Sequence, residues 1–213
     1  MNDKHLIARR AAALLRPGWF VNLGIGIPNL VTHYIDADSV CFQTENGLLG
    51  VGAPPAAGQV DPNLVDAAKK PVTERPGAAF FDSATSFAMI RGGHVDAVVL
   101  GALEVDERGR VANWTIPGKP VLGVGGAMDL MVGARNVIVV MTHSASDGAA
   151  KLVRECALPL TTPRPVDWVV TELATFRVEA EGLVLAELAP GVTEQELRQR
   201  TAARYAVPSG SNP

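Results

Sequence analysis

The chain contains 213 residues, of which 47% are hydrophobic and 19% are charged. This length suits one large α/β domain with a substantial core or two small domains, and the composition is that of a globular protein. The net charge of −3 argues against the basic surface by which proteins bind nucleic acid or an anionic membrane. A polyanionic ligand would therefore need local basic residues, helix N-termini or a partner chain.

The N-terminal segment predicts an amphipathic helix over residues 6–15, because charged residues are interspersed among apolar ones. It lacks the apolar stretch of a signal peptide, and no segment approaches the roughly 20 apolar residues of a membrane span. Cys41 and Cys156 lie in apolar surroundings without the spacing of metal ligands. We expect buried free thiols in a cytoplasmic protein, with a disulfide between them as the alternative.

The pattern then alternates between apolar strands and helical stretches. A strand at 20–24 leads into a short helix at 27–35, with Pro28 in its first turn, and a second strand at 39–44 ends just before Glu45. From Gly50 to Pro62 the chain is rich in glycine and proline, which predicts a long loop.

The second half continues the same alternation. A helix is predicted at 81–93, with Asp82 or Ser83 as N-cap and a Gly-Gly stop, and a C-terminal helix at 193–205, with Thr193 as N-cap. A hairpin is predicted to turn at Glu181–Gly182. Further apolar strands are predicted at 94–106, 136–143 and 167–173. We predict one α/β domain over 1–207, an open and largely parallel sheet with flanking helices, followed by a disordered tail at 208–213.

Two glycine turns could present backbone N–H groups to an anion. The first contains Gly24 and Gly26 between a strand and a helix start, but it lacks the third glycine of a dinucleotide fingerprint, and taken alone it is better explained as a packing turn. The second contains Gly125 and Gly126, where successive glycines could direct N–H groups at a developing oxyanion. A tight strand-to-helix connection is the alternative there.

Glu45 stands between an apolar strand and a glycine-rich run. Burying an unpaired carboxylate is costly, so this residue is either a cap or surface ion-pair partner, or a group that performs chemistry. A nucleophile or base in a confined pocket is the functional interpretation.

Four stretches together resemble the β subunit of the class I CoA-transferases, the 3-oxoacid group. They are ENGLLGVG at 45–52, FAMIRGGHVDAVVLGALEVD at 87–106, GRVANWTIPGK at 109–119 and GVGGAMDLMVGA at 123–134. The similarity runs in order from Leu6 to Tyr205. Thr44 and Thr142 stand where family members more often have serine and glutamate, which bears on substrate choice more than on reaction type.

The resemblance implies that Glu45 attacks an acyl-CoA thioester and then carries CoA as a glutamyl thioester. Gly47 and Gly50 would let the thiolate approach, and Gly125 and Gly126 would lie near the oxyanion. Asn113 is a possible polar contact for the acyl group or the CoA arm, although it could equally cap a strand end. Gly24 and Gly26 are further candidates for the CoA-binding surface.

The resemblance further implies an α-subunit partner, in an α2β2 or similar assembly, and CoA as a substrate with no cofactor. We expect no metal, because no cluster of ligands is present in the sequence. His94 and His143 are expected to be structural, because carboxylate and thiolate are already ionised and need no proton relay. The leading hypothesis is CoA transfer from succinyl-CoA to acetoacetate or 3-oxoadipate. The alternatives are an acyl-CoA hydrolase on the same scaffold and a non-catalytic subunit.

Overall fold

The computed structural model describes residues 2–36, 38–118 and 123–208. Within these ranges the chain forms a ten-stranded sheet, a three-stranded sheet and helices on both faces of the large sheet, which confirms the predicted α/β class. The predicted tail at 208–213 lies outside the described residues except for Pro208. The single-domain boundaries stay a prediction.

The strands and helices have the following bounds. The strands are β1 Phe20–Leu23, β2 Cys41–Thr44, β3 Leu48–Val51, β4 Glu74–Phe80, β5 Ala97–Gly101, β6 Glu104–Asp106, β7 Val111–Ala112, β8 Asn136–Val140, β9 Leu152–Val153, β10 Trp168–Val170, β11 Ala174–Glu179, β12 Gly182–Leu188 and β13 Tyr205–Ala206. The helices are α1 Asp3–Ala12, α2 Ser83–Arg91, α3 Ala127–Gly133 and α4 Glu194–Arg200, with a 3₁₀ helix at Pro28–His33.

The large sheet has the order β13-β12-β11-β10-β8-β5-β1-β2-β3-β4, and its five central strands, β10 to β2 in that order, run parallel. Their carboxyl ends therefore meet at one edge of the sheet. The chain moves outward from β1 to β2 in one direction and from β5 to β8 and β10 in the other. In open α/β sheets, ligands bind at the carboxyl edge beside such a reversal.

The central strands are buried on both faces. In β5, Val98 and Leu100 contribute to the core cluster that contains residues of α2 and α3, whereas Ala97 and Val99 contribute to the cluster that contains residues of α1. A parallel strand covered on both sides is apolar at every position, which is why the sequence of β5 shows no alternation. This core fixes the positions of the strand ends that carry polar residues.

The predicted helix caps are confirmed. The Asp82 side chain accepts a hydrogen bond from the Thr85 N–H at the start of α2, and Thr193 does the same for the Glu196 N–H at the start of α4. The first helix begins earlier than predicted, because Asn2 accepts from the Lys4 N–H and caps it at that point. No described helix has the length and apolar character that crossing a membrane requires.

The prediction for the segment after Glu45 was partly wrong. Gly50 and Val51 belong to β3, so the predicted loop begins at Gly52, and β4 was not predicted at all. β4 contains Pro76 and Gly77, which disfavour a central strand. It forms at the outer edge of the sheet, where one side of the strand has no neighbouring strand that would need the N–H that proline lacks.

Helices α2 and α3 approach each other closely at Gly133. A Cβ atom at this position would collide with the carbonyl oxygen of Ile90, near the end of α2. The absence of a side chain at Gly133 therefore sets the distance between the two helices.

We expect Gly133→Ala to lower the stability of the protein. Helix propensity alone would favour alanine by about 1 kcal/mol, whereas overpacking a tight contact costs about 1–3 kcal/mol. Thermal and urea unfolding of the variant measure the net effect. Gly101→Ala is the matched control, because a Cβ atom there meets nothing within 4 Å. Equal or greater stability of Gly133→Ala would show that the contact does not constrain the helices.

Candidate active site

Glu45 lies at the carboxyl edge of the sheet, in the turn that joins β2 to β3. Gly47 completes this turn with a φ of +117°, a backbone conformation that residues with a side chain rarely adopt. A Cβ atom at Gly47 would also collide with the Phe81 carbonyl oxygen. The Asn46–Gly47 pair is typical of hairpins and could have revealed β3 from the sequence.

Hydrogen bonds from the turn to a neighbouring loop hold Glu45 in place. The Thr44 hydroxyl donates to Asn46 Oδ1 at 2.6 Å and accepts from the Ala67 N–H at 2.9 Å. The Asn46 amide donates to the Val65 carbonyl at 2.9 Å. Serine could supply the same hydroxyl at position 44, so the presence of threonine leaves this arrangement intact.

A buried polar network that the sequence reasoning missed lies beneath the turn. Asn22 on β1 donates to Gln43 Oε1 at 2.6 Å, and the Gln43 amide donates to the Ser86 hydroxyl on α2 at 2.8 Å. All three side chains are buried. Because a buried polar group needs a partner, this network fixes the end of β2 against β1 and α2.

Glu45 accepts a hydrogen bond from the backbone N–H of Gly126, the residue immediately before α3. A Cβ atom at Gly126 would collide with the Glu45 carboxylate, so this contact requires glycine. Burial raises the pKa of the Glu45 carboxyl above its ordinary value; the Gly126 hydrogen bond lowers it, and the negative charge of Asp129 raises it. Glu45 is therefore a half-buried carboxylate of increased basicity on a well-fixed backbone.

The structure thus brings together two stretches that the sequence analysis selected separately. Gly125 lies beside this contact with a φ of +55°, and a Cβ atom there would meet nothing within 4 Å. The backbone conformation therefore accounts for glycine at position 125, whereas proximity to Glu45 accounts for glycine at position 126.

Of the remaining predicted residues, Gly24 and Asn113 have hydrogen-bond partners within the fold. The Gly24 N–H donates to the Val99 carbonyl at 2.8 Å, so it is not free to bind an anion, while Gly26 is exposed with a φ of +91°. The Asn113 amide donates to the carbonyl of Gly101, the last residue of β5, and its oxygen accepts from Thr161. This is the strand-end cap that the sequence left open as an alternative.

Gly50 has a packing role that the resemblance did not suggest. A Cβ atom at this position would lie 3.0 Å from the Cα and Cβ atoms of Ala78 on β4. Glycine at 50 therefore allows β4 to approach β3, in addition to any access that it gives to a thiolate.

His143 has the arrangement expected of a structural residue. His143 is fully buried, and its ring nitrogens contact the hydroxyls of Thr171 and Thr201 at 3.0 and 2.9 Å. Burial lowers its pKa to about 4, so the ring is neutral near pH 7. His94 is exposed. Across the described ranges, no group of three or more His, Cys, Asp or Glu side chains is arranged to hold a metal ion.

Both cysteines are free and half-buried. The expected free thiols are confirmed, and they are less deeply buried than predicted. Burial raises the pKa of the Cys156 thiol to about 12, so this group is not a reactive thiolate near neutral pH.

Comparisons with known proteins identify the family of this chain. The family model for coenzyme A transferase matches residues 5–199. The chain is 47% identical over 96% of its length to one subunit of the succinyl-CoA:3-ketoacid coenzyme A transferase of Helicobacter pylori, and covers 99% of that protein. It is 49% identical over its whole length to the beta subunit of the acetate CoA-transferase of Escherichia coli, and covers 97% of it.

Among solved structures, the chain is similar to the apoenzyme of the acyl-CoA transferase YdiF from Escherichia coli O157:H7. The TM-score is 0.78 at 26% identity, over 97% of this chain. This chain spans 42% of the length of that solved chain. From the family match over most of its length and from these relatives, we conclude that the chain belongs to the coenzyme A transferase family.

Proposed function

We propose that this chain is the β subunit of a CoA-transferase that moves CoA from succinyl-CoA to a 3-oxo acid, acetoacetate or 3-oxoadipate, with Glu45 as the nucleophile. The observation that carries the proposal is the half-buried Glu45 carboxylate, held on a tight turn against the Gly126 N–H at the carboxyl edge of the sheet. The donor and acceptor classes are suggested by the name of the relative from Helicobacter pylori.

In the proposed mechanism, a Glu45 oxygen attacks the thioester carbon and the C–S bond breaks. The products of this step are a mixed anhydride and a CoA thiolate. The thiolate then attacks the side-chain carbonyl carbon of Glu45 and releases succinate, which leaves a glutamyl-CoA thioester. The 3-oxo acid carboxylate takes CoA by the reverse steps. No proton is transferred, which fits the buried and neutral His143.

The contact with Gly126 suggests a specific form of oxyanion stabilisation. When the thiolate attacks the Glu45 carbonyl carbon, negative charge develops on an oxygen of Glu45 itself. The Gly126 N–H already donates to this carboxylate. We therefore assign to Gly126 the oxyanion that forms on the enzyme's own side chain, and to Gly125 a supporting backbone role.

Acetate is the second candidate acceptor. The Escherichia coli relative that bears the name acetate CoA-transferase is 49% identical to this chain, which is close to the value for the Helicobacter pylori relative. Both acceptors are carboxylates and would use the same exchange at Glu45. They differ in the acyl pocket, which an acceptor screen addresses directly.

After incubation with succinyl-CoA, we expect mass spectrometry of the complete enzyme to find CoA on the peptide that contains Glu45. Glu45→Gln keeps the shape of the side chain and removes the nucleophile, so turnover should fall by several orders of magnitude. Near-native turnover by this variant would rule out the mechanism. Release of free CoA without incorporation of a labelled acceptor acid would instead support the hydrolase.

Gly126→Ala should reduce turnover by about 10²-fold, the cost of displacing a reacting group by about 1 Å. The new methyl group would push the Glu45 carboxylate aside without unfolding the protein, because the displaced atoms are at the end of a flexible side chain. Turnover and thermal unfolding should be measured together. In a Glu45→Ala background the same substitution should have no further effect on turnover. Full activity of a folded Gly126→Ala enzyme would contradict the assignment.

The surface around Glu45 suggests that a second protein completes the site. Ile25, Met128, Val132 and Phe80 are large apolar residues with 45–68% of their surface exposed. Ile25 follows β1 at the carboxyl edge, Met128 and Val132 lie on α3, and Phe80 pairs with Leu48 next to the Glu45 turn. A reactive anhydride also needs a pocket closed to water.

We propose that the occupant of this surface is a CoA-transferase α subunit. Two observations support it: relatives that this chain covers almost entirely are named as single subunits of transferases, and the solved YdiF chain is more than twice as long. We expect an obligate interface above roughly 2,000 Å² in total, in an α2β2 or similar assembly. The two free cysteines fit a cytoplasmic location.

The purified chain alone should therefore be folded but inactive. The test compares it with the same chain co-purified with an α subunit, using succinyl-CoA with acetoacetate, 3-oxoadipate and acetate in turn. Circular dichroism confirms the fold of the single chain. Full turnover by the single chain on any of these acids would refute the need for a partner.

A further inference from the structure

An ion pair lies directly behind the contact between Glu45 and Gly126. Asp129 is three residues beyond Gly126, in the first turn of α3, and its carboxylate accepts a hydrogen bond from Arg91 Nε at 2.7 Å. Arg91 is the last residue of α2 and also lies over the Phe87 ring, 5.7 Å from its centroid. The close approach of the two helices at Gly133 allows Arg91 to reach Asp129.

We propose that the Arg91–Asp129 pair controls the basicity of the nucleophile: Asp129 strengthens the basicity of the Glu45 carboxylate through its negative charge, and Arg91 sets how much of that charge Glu45 experiences. This inference rests on the proposed function of Glu45. It assigns an electrostatic role to two residues that do not themselves touch the reacting atoms in the proposed mechanism.

Two other acidic groups on elements packed against the Glu45 turn hold local backbone structure. The Asp82 carboxylate caps α2 through the Thr85 N–H, and the Asp66 carboxylate accepts from the Lys70 N–H. The negative charge of Asp129, by contrast, raises the pKa of the Glu45 carboxyl. Its own partner, Arg91, is 65% exposed and therefore easily replaced.

A stabilising role does not explain the pair. An ion pair with one well-exposed partner contributes little to folding, because solvent and salt screen it and two long side chains must be ordered. Its position matters more than its strength, because Asp129 lies about 4.5 Å along the helix from the amide that holds the nucleophile. The two charges of the pair should act on Glu45 in opposite directions.

Electrostatics gives the direction in which each substitution should shift the pKa of Glu45. Asp129→Asn removes a negative charge, so the pKa of Glu45 falls and the acid limb of the rate profile moves to lower pH. Arg91→Gln leaves the Asp129 charge uncompensated, so the Glu45 pKa rises and the limb moves to higher pH. The double variant removes both charges, so its limb should lie between those of the two single variants. On the acid side of the wild-type midpoint, the two single variants should differ several-fold in rate.

The experiment measures the single-turnover rate of CoA transfer to Glu45 across pH, in the complete enzyme with its α subunit. A second readout needs no turnover: ¹³C NMR titration of side-chain carboxyl groups in the full chain, with the Glu45 signal assigned by its loss in Glu45→Gln. Arg135→Gln is the matched control. Arg135 is 63% exposed and pairs with Asp96 at 2.9 Å, but it precedes β8, at the opposite edge of the sheet from Glu45.

Opposite shifts for Asp129→Asn and Arg91→Gln, with no shift for Arg135→Gln, would support the inference. Coincident midpoints in all variants, with CoA still transferred to Glu45, would overturn it and leave the proposed function intact. The NMR titration could also show opposite shifts of the Glu45 midpoint in an enzyme that never acquires CoA. That result would support the electrostatic coupling and show that the proposed function is wrong. Should Asp129→Asn fail to fold, the Arg91→Gln variant still tests whether the pKa of Glu45 rises, because Arg91 is exposed.

Discussion

The arrangement of this molecule depends on how a half-buried carboxylate is held at the edge of a parallel sheet. A carboxylate removed from water is unstable unless hydrogen-bond donors replace the lost solvent. Glu45 obtains such a donor from the backbone N–H of Gly126, which only the folded sheet brings to it. The buried bonds among Asn22, Gln43 and Ser86 then hold the end of β2 in place.

Close backbone approach, at three glycines, makes this geometry possible. Gly47 lies against the Phe81 carbonyl, Gly126 against the Glu45 carboxylate and Gly133 against the Ile90 carbonyl, and a Cβ atom would collide at each position. The same spacing that lets Gly126 reach the carboxylate also brings Arg91 to Asp129. The position of Glu45, our proposed nucleophile, and its charge environment are therefore consequences of one packing arrangement between α2, α3 and the β2–β3 hairpin.

Beyond this hairpin, the sheet ends in a strand that is largely exposed. β4 is the outermost strand, and most of its residues are exposed, including Phe80 next to the Glu45 turn. A strand with an open edge and exposed apolar residues is normally covered or blunted. This feature, together with the apolar residues on α3, is the physical basis for our proposal that a second subunit closes the site.

The sequence was enough to predict the buried parallel strands, the caps at Asp82 and Thr193, and the interest of Glu45 and Gly126, because these follow from local periodicity, local capping and residue chemistry. It could not find β4, whose proline and glycine are tolerated only at a sheet edge. Nor could it choose between the roles open to Asn113 and Gly24. Asn113 donates to the Gly101 carbonyl and Gly24 to the Val99 carbonyl, and both acceptors lie on β5, a different element from the donor. The contact between the Glu45 carboxylate and Gly126, with Asp129 and Arg91 behind it, could be seen only in the folded molecule. Contacts between residues far apart in sequence exist only after the sheet has assembled and the helices have packed on it.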